Sequence, residues 1–133
     1  MIPAGMRGLR HVALYCVDLD ACERFYVDLL GMAVEWRPDA DNVYLTSGSD
    51  NLALHRAPAD LIVQAPQRLD HIGFVLATPA DVDNWYAYLQ PKGVAMVNPP
   101  KTHRDGARSF YMKDPDGNVV QMIYHPPISG KEG

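Results

Sequence analysis

The chain has little of what marks several common classes of protein. Of its 133 residues two are cysteines, and 12 lysines and arginines are outnumbered by 16 aspartates and glutamates. No basic stripe is present, so nucleic-acid binding is not expected. No apolar segment approaches the length of a membrane span, and the first ten residues lack the apolar core of a signal peptide. We therefore expect a cytoplasmic protein with no nucleic-acid or membrane partner.

The content of apolar residues is nevertheless sufficient for a folded core. Hydrophobic residues make up 47% of the chain, which favours one ordinary domain or two very small modules fused around one core. Cys16 lies in a strand-like stretch and Cys22 in a helix-like stretch. In a reducing compartment we expect them to be small buried apolar residues rather than a disulfide.

An internal repeat is the most informative feature of the sequence. A shift of 60 residues places LRHVALYCVDLDACERFYVDLL over LDHIGFVLATPADVDNWYAYLQ, so that His11 falls on His71. Each copy begins with an extended run rich in valine, leucine, isoleucine and aromatic residues, 9–16 and 69–76, which favours a strand.

A helix is predicted after each of these strands. Apolar residues recur there at helical spacing: Cys22, Phe25, Tyr26 and Leu29 in the first copy, and Val82, Trp85, Tyr86 and Leu89 in the second. Asp18 and Thr78 are favourable N-cap residues, and Asp81 lies where a capping-box acid belongs. Gly31 in the first copy and Pro91 in the second are expected to end the helices.

Three strand candidates follow each helix, which makes the repeating unit βαβββ. They are 32–36, 42–47 and 50–56 in the first copy, and 93–97, 108–113 and 118–124 in the second. We expect an α+β fold in which module one, about 9–57, and module two, about 69–125, curl their sheets around a shared interior as a single domain over 1–133. The longer, polar segment 98–107 is a candidate lid or rim.

The sequence resembles the vicinal oxygen chelate superfamily, which includes glyoxalase I, extradiol dioxygenases and bleomycin-resistance proteins. The resemblance covers roughly residues 9–125 and is carried by the segments LRHVAL, LDHIGF, FYVDLLGM and DPDGNVVQMI. It implies two tandem βαβββ modules forming a cup-shaped, partly open mixed sheet with the helices outside. It also implies a homodimer, and we expect a small-molecule substrate or ligand and no nucleotide cofactor.

The two histidines of the repeat are the first candidates for a metal site. Because they are equivalent in the repeat, a pseudo-twofold axis would bring His11 and His71 to mirrored places on the inner face. Two neutral imidazoles suit Zn²⁺, Fe²⁺, Ni²⁺ or Mn²⁺ when an oxygen ligand joins them. The alternative is that both are polar core residues to which Gln121 hydrogen-bonds across a cavity without metal.

The resemblance implies a glutamate as third ligand, on the last strand after the DPDGN turn, where this chain has Gln121. An amide oxygen can coordinate but carries no charge, so metal affinity is expected to fall. A further position of the superfamily falls on Ala53, Leu54 or His55, of which only His55 could bind metal. Without a carboxylate to move a proton, glyoxalase I activity itself is disfavoured.

A second group of candidates is expected to contact substrate. His103 and Arg108 belong to the segment HRDGARSFY and could bind an anionic or oxygen-rich substrate. Tyr111 and Tyr124 could line the cavity, although tyrosines in sheets more often serve packing. Arg108 could instead pair with Asp105 or Asp116.

These features support one leading function and one main alternative. The leading hypothesis is a divalent-metal-dependent enzyme, of the lyase, isomerase or dioxygenase type, acting on a small oxygen-chelating substrate. The alternative is a metal-free protein of the bleomycin-resistance type that binds or sequesters a small molecule. A domain whose partner is another protein is a third, weaker interpretation.

Overall fold

The computed structural model describes residues 2–3, 5–61 and 69–130. The chain divides into two compact units, Met1–Leu61 and Ile62–Glu132. In the described residues no helix has the length and apolar character needed to cross a membrane.

The first unit contains four strands and one helical segment. They are β1 (His11–Cys16), α1 (Leu19–Arg24), which continues as a wider π-helical stretch over Phe25–Leu29, β2 (Ala33–Asp39), β3 (Asn42–Thr46) and β4 (Asn51–Arg56). The strand order is β1-β4-β3-β2. The β1 and β4 strands are parallel and the other neighbours antiparallel, so the sheet is mixed.

In its described residues, the second unit repeats this arrangement and adds one strand and one short helix. It contains β5 (Ile72–Val75), α2 (Pro79–Leu89) with a 3₁₀ turn over Gln90–Lys92, β6 (Ala95–Met96), β7 (Lys101–Thr102), β8 (Arg108–Lys113), β9 (Val119–Tyr124) and α3 (Pro126–Ser129). The strand order is β5-β9-β8-β6, with β7 also paired to β8. The α+β fold class and the twofold βαβββ repeat predicted from the sequence are therefore confirmed.

The segment predicted as a candidate lid or rim, 98–107, is partly a strand. Lys101 pairs with Ser109, and Thr102 with Arg108, which makes β7 one arm of a hairpin. The turn of this hairpin places Gly106 at a φ of 89°, a conformation that glycine adopts without strain. The segment is longer than its counterpart in the first unit because it adds this strand.

The predicted helix starts are confirmed, and one predicted helix end is shifted. The Asp18 side chain accepts a hydrogen bond from the backbone N–H of Ala21, and Thr78 and Asp81 form a reciprocal capping box. Pro91 lies inside the 3₁₀ turn that extends α2, and Gly93, with a φ of 79°, follows that turn. The turn continues past Pro91 because proline is tolerated in the first turn of a helix.

One face of each sheet packs against the helix of the same unit. The buried side chains include Cys16, Cys22, Tyr26, Val43, Leu45 and Leu54 in the first unit and Val82, Leu89, Phe110, Met112, Val120 and Met122 in the second. Both cysteines are buried and neither is in a disulfide, as predicted. Since strand side chains alternate, the opposite face of each sheet carries the intervening residues; we call it the open face.

Candidate functional site

Three neighbouring strands place Gly73, Gln121 and Tyr111 side by side on the open face of the second unit. Gly73 of β5 is the register partner of Gln121 on β9, which in turn is the partner of Tyr111 on β8. His71 precedes β5 by one residue, and its ring meets that of Tyr111 edge to face at a centroid distance of 5.1 Å. The structure therefore brings together three of the residues singled out in the sequence: His71, Tyr111 and Gln121.

The amide of Gln121 has a definite orientation between its two neighbouring strands. Its Nε2 donates a hydrogen bond of 3.1 Å to the hydroxyl of Tyr111. Its Oε1 lies over Gly73, 3.4 Å from where a Cβ would be placed on that residue. Only 8% of Gln121 is exposed, so the hydrogen bond offsets the cost of burying a polar group. The carbonyl oxygen is thus directed toward β5, the strand that His71 precedes.

The position of the proton on His71 follows from its neighbour in sequence. The Nδ1 atom lies 2.5 Å from Oδ1 of Asp70. A carboxylate only accepts hydrogen bonds, so Nδ1 must carry the proton. The neutral imidazole then has its lone pair on Nε2, the atom available to a metal ion or to a donor group.

His11, the counterpart of His71 in the first unit, has the same tautomer but is held in it by a different kind of side chain. Its Nδ1 lies 2.7 Å from Oδ1 of Asn51, its register partner on β4. The Nδ2 of Asn51 donates to the Glu35 carboxylate at 3.3 Å. Because the carboxylate can only accept, this contact fixes the amide with its oxygen toward His11. Nδ1 of His11 is therefore the donor, and Nε2 carries the lone pair.

The strand register decides which residue of the first unit matches Gln121. In the parallel pairs of the two units, Ala13 faces Ala53 as Gly73 faces Gln121. Ala53 is thus the counterpart of Gln121, and its methyl group has no atom that could bind metal. His55 lies two residues further along β4 and donates its Nδ1–H to Oδ1 of Asn42 at 2.6 Å.

Arg108 and Tyr124 lie on the other face of the sheet in the second unit. They are register partners, and both alternate with residues of the open face. The guanidinium of Arg108 donates to both carboxylate oxygens of Asp83 on α2, at 2.7 and 3.0 Å, and to Oγ1 of Thr102 at 2.9 Å. The pairing of Arg108 with Asp105 or Asp116 that the sequence suggested is replaced by this contact.

The contact between Arg108 and Asp83 connects helix α2 to the helix-facing side of β8. Hydrogen bonding by Arg108 lowers the pKa of Asp83 below its ordinary value of 3.8. The predicted role of Arg108 and Tyr124 in substrate binding stays a prediction, and their face of the sheet does not favour it.

His103 lies at the end of the hairpin and reaches the open face. Its Nε2 is 3.3 Å from Oγ of Ser109, which shares the open face with Tyr111. Together with Lys101, Thr102, Arg104 and Asp105 it lines a surface depression of about 520 Å³. Of the residues predicted to contact substrate, His103 and Tyr111 are therefore those on the open face.

Each predicted ligand by itself has a donor atom that a divalent ion can bind, and none of the three brings a negative charge. His11 and His71 each have the lone pair on Nε2, held by a hydrogen bond of the kind that orients metal-binding histidines. Gln121 adds a neutral oxygen in place of a carboxylate. Within the described ranges no cluster of three or more histidine, cysteine, aspartate or glutamate side chains comes together.

Comparison with known proteins gives the family. The model of the glyoxalase/bleomycin resistance protein/dioxygenase superfamily matches residues 8–122. The chain belongs to this superfamily. Its members commonly use divalent metals and bind small-molecule substrates.

Proteins similar to this chain are named for different activities or roles. Biphenyl-2,3-diol 1,2-dioxygenase 3 of Rhodococcus globerulus is 29% identical over 119 residues, covering 86% of this chain but 61% of the dioxygenase. A virulence protein of Salmonella typhimurium is 27% identical over 121 residues, covering 84% of this chain and 80% of that protein. The crystal structure of lactoylglutathione lyase from Agrobacterium tumefaciens has a TM-score of 0.77 at 25% identity, covering 94% of this chain and 98% of the lyase.

The residues that orient the histidines were missed in the sequence. Asp70 could have been found, because it directly precedes His71 in LDHIGF and an acid beside a histidine is a frequent orienting partner. Asn51 is 40 residues from His11 along the chain, and only the pairing of β1 with β4 makes them neighbours.

Proposed function

We propose that the protein is a divalent-metal-dependent enzyme, of the lyase, isomerase or dioxygenase type, acting on a small substrate that chelates metal through two oxygens. The observation that carries this proposal is the matched state of two histidines at equivalent positions of the repeat. His11 and His71 both have Nδ1 bound to an oxygen acceptor, which leaves Nε2 as a lone-pair donor. The partner of Nδ1 is an asparagine for His11 and an aspartate for His71. The two histidines therefore share a proton position although the residues that hold it are not repeated.

The proposed ligands are His11, His71 and the Oε1 atom of Gln121. A bound divalent ion would act as a Lewis acid on the substrate oxygens. With Gln121 as the third ligand, the positive charge of the ion is not compensated by the protein, because two imidazoles and an amide bring no negative charge. We infer that an anionic substrate supplies the missing negative charge, and that the ion binds more tightly with substrate than alone.

Tyr111 and His71 shape the substrate side of the proposed site. The hydroxyl of Tyr111 accepts from Gln121, so its own proton remains available for donation to an oxygen of the substrate. The edge-to-face contact of the two rings restricts both side chains on the open face. A carboxylate base is absent from the predicted ligand set, so we do not propose glyoxalase I activity.

Metal content of protein purified without a histidine tag tests the proposal. The protein is loaded under reducing conditions with Fe²⁺, Mn²⁺, Ni²⁺ or Zn²⁺ in turn, and bound metal is measured after desalting. We expect close to one equivalent of at least one ion, and its loss in both His11→Ala and His71→Ala. His125→Ala is the matched control, because His125 lies outside the predicted ligand set. Folded protein that retains none of the four ions contradicts the proposal and favours the metal-free binding protein.

We further propose that the protein is cytoplasmic and that it acts as a homodimer, the second of which the superfamily resemblance implies. Light scattering coupled to size exclusion tests the oligomeric state, with the 14.8 kDa chain as reference. A mass near twice that of one chain is the expected result. A monomer at all concentrations contradicts it.

A further inference from the structure

An exposed aromatic stack lies on the open face of the first unit. The rings of Trp36 and Tyr44, register partners on β2 and β3, lie nearly parallel, at 17°, with their centroids 5.2 Å apart. Trp36 is the outer ring of the stack and is 59% exposed. Leaving a large apolar ring in water is unfavourable, and its free face is suited to stacking against another planar ring.

A histidine with a fixed proton lies beside this stack. The ring of His55 meets that of Tyr44 edge to face, with centroids 5.8 Å apart. Nδ1 of His55 lies 2.6 Å from Oδ1 of Asn42, and Nδ2 of Asn42 donates to both oxygens of Asp39, at 2.8 and 3.1 Å. Because the Asp39 carboxylate only accepts, it fixes the amide with its oxygen toward His55.

The chain of contacts therefore leaves Nε2 of His55 as a hydrogen-bond acceptor. His55 is half-buried, and Nε2 has no hydrogen-bond partner within the described part of the chain. Three side chains on β2, β3 and β4 thus determine the position of a single proton. Such an arrangement selects a ligand that donates an O–H or N–H and disfavours one that only accepts.

The repeat shows that this arrangement is specific to the first unit. The register partners Asn42 and His55 correspond to Ser109 and Ile123 in the second unit. Ile123, which has no polar side-chain group, occupies in the second sheet the position that His55 has in the first. The histidine and its orienting residues are therefore not required for the βαβββ fold itself.

We propose that the open face of the first unit binds a planar aromatic group that stacks on Trp36 and donates an O–H or N–H to Nε2 of His55. The binding site consists of Trp36, Tyr44 and His55, with Asn42 and Asp39 as positioning residues. It uses none of the three proposed metal ligands, and it exists in the metal-free protein. The ligand class is therefore a small aromatic compound with a polar hydrogen on its edge.

Two probes, one with that hydrogen and one with a methyl group in its place, test the inference. Indole and 1-methylindole have the same ring, but only indole has an N–H. Each is titrated into ¹⁵N-labelled protein freed of metal with a chelator, and the two tryptophan indole N–H signals are followed by NMR. Trp36→Phe and Trp85→Phe assign these signals, and Trp85→Phe also serves as the control for ligand binding.

We expect indole to shift the Trp36 signal and to bind about tenfold more tightly than 1-methylindole, the upper range for one hydrogen bond. His55→Phe should remove this preference while both compounds still bind, and Trp85→Phe should bind as the unaltered protein does. Equal affinity of the unaltered protein for the two compounds overturns the inference, whether or not the His55 variant folds. No shift at Trp36 also overturns it. Neither result depends on whether the protein binds metal.

Discussion

Gln121 and Tyr111 face each other across two paired strands, and the Gln121 side chain donates a 3.1 Å hydrogen bond to the Tyr111 hydroxyl. This contact explains how an amide is accommodated in an otherwise apolar strand. The nitrogen end is bound to the tyrosine, while the oxygen end lies over Gly73, where no side chain fills the space. The amide therefore presents an oxygen on the open face without leaving a buried polar group unpaired.

Replacing Gln121 with glutamate should strengthen metal binding. The carboxylate adds a negative charge to a site whose other proposed ligands are neutral, so we expect the affinity for Zn²⁺ or Mn²⁺ to rise by about tenfold or more. Calorimetric titration measures this change. Gln90→Glu makes the same charge change at an exposed position after α2 and should leave the affinity unaltered. Equal affinities of Gln121→Glu and the unaltered protein would remove Gln121 from the ligand set.

A methyl group at Gly73 should obstruct the Gln121 oxygen without disturbing the fold. The added Cβ would lie 3.4 Å from Oε1 of Gln121, and Gly73 has no left-handed φ that would strain an alanine. We expect Gly73→Ala to weaken metal binding, while the free energy of unfolding is unchanged or raised by up to about 1 kcal/mol. Gly130→Ala, where nothing lies within 4 Å of the new Cβ, is the control for affinity. Unfolding in urea and metal titration separate the two effects.

Removing the carboxylate beside His71 should lower metal affinity through the imidazole. Asp70→Ala frees Nδ1, so the ring is no longer held in the tautomer with its lone pair on Nε2. Orienting partners of this kind contribute about tenfold to a hundredfold in affinity, and the lower value applies because the Asp70 side chain is 91% exposed. Asp60→Ala, at an exposed turn, removes the same charge elsewhere. If both variants lose affinity equally, the effect is one of overall charge.

The contact between Arg108 and Asp83 should make stability depend on pH in the acid range. The pKa of Asp83 is lowered by its hydrogen bonds to Arg108, so the contact stabilises the fold above the ordinary pKa of 3.8. This stabilisation is lost as pH falls through the lower pKa of the folded state. Asp83 is half exposed, so we expect Asp83→Asn to lower the free energy of unfolding by at most about 1 kcal/mol at pH 7.

Urea unfolding at pH 7 and at about pH 2.5 checks this expectation. The difference between Asp83→Asn and the unaltered protein should shrink at the lower pH, because Asp83 is then becoming neutral in both states. Asp60→Asn should show no such difference at either pH. A destabilisation of Asp83→Asn that stays the same from pH 7 to pH 2.5 would mean that the loss is not electrostatic.

The fold was predictable because local patterns and the repeat agree. The apolar stripes of α1 and α2, their N-caps and the alternation in β8 and β9 all indicate the same elements, and the 60-residue shift gives their order twice. The short strand β7 was missed because its two residues, Lys101 and Thr102, have no apolar alternation. Only the register with β8 identifies them as a strand.

The candidate site was less predictable, because side-chain direction depends on register. Arg108 and Tyr111 are three residues apart on one strand, so they must lie on opposite faces, yet the sequence does not say which face packs on the helix. The sequence alone left three residues as possible counterparts of Gln121 in the first unit. The pairing of β1 with β4 identifies the counterpart as Ala53. The partners of His11 and His55 are likewise cross-strand contacts.

Long-range ¹H–¹⁵N NMR of the imidazole rings tests whether His11 and His71 bind a divalent ion through Nε2, as we propose. At about pH 8 in the metal-free protein, we expect both rings to carry their proton on Nδ1. One equivalent of Zn²⁺ should then shift the Nε2 resonances of both histidines, while that of His125 stays in place. Protons on Nε2 in the metal-free protein, or Nε2 resonances of His11 and His71 that do not move when Zn²⁺ is bound, would exclude these two nitrogens as the proposed metal ligands.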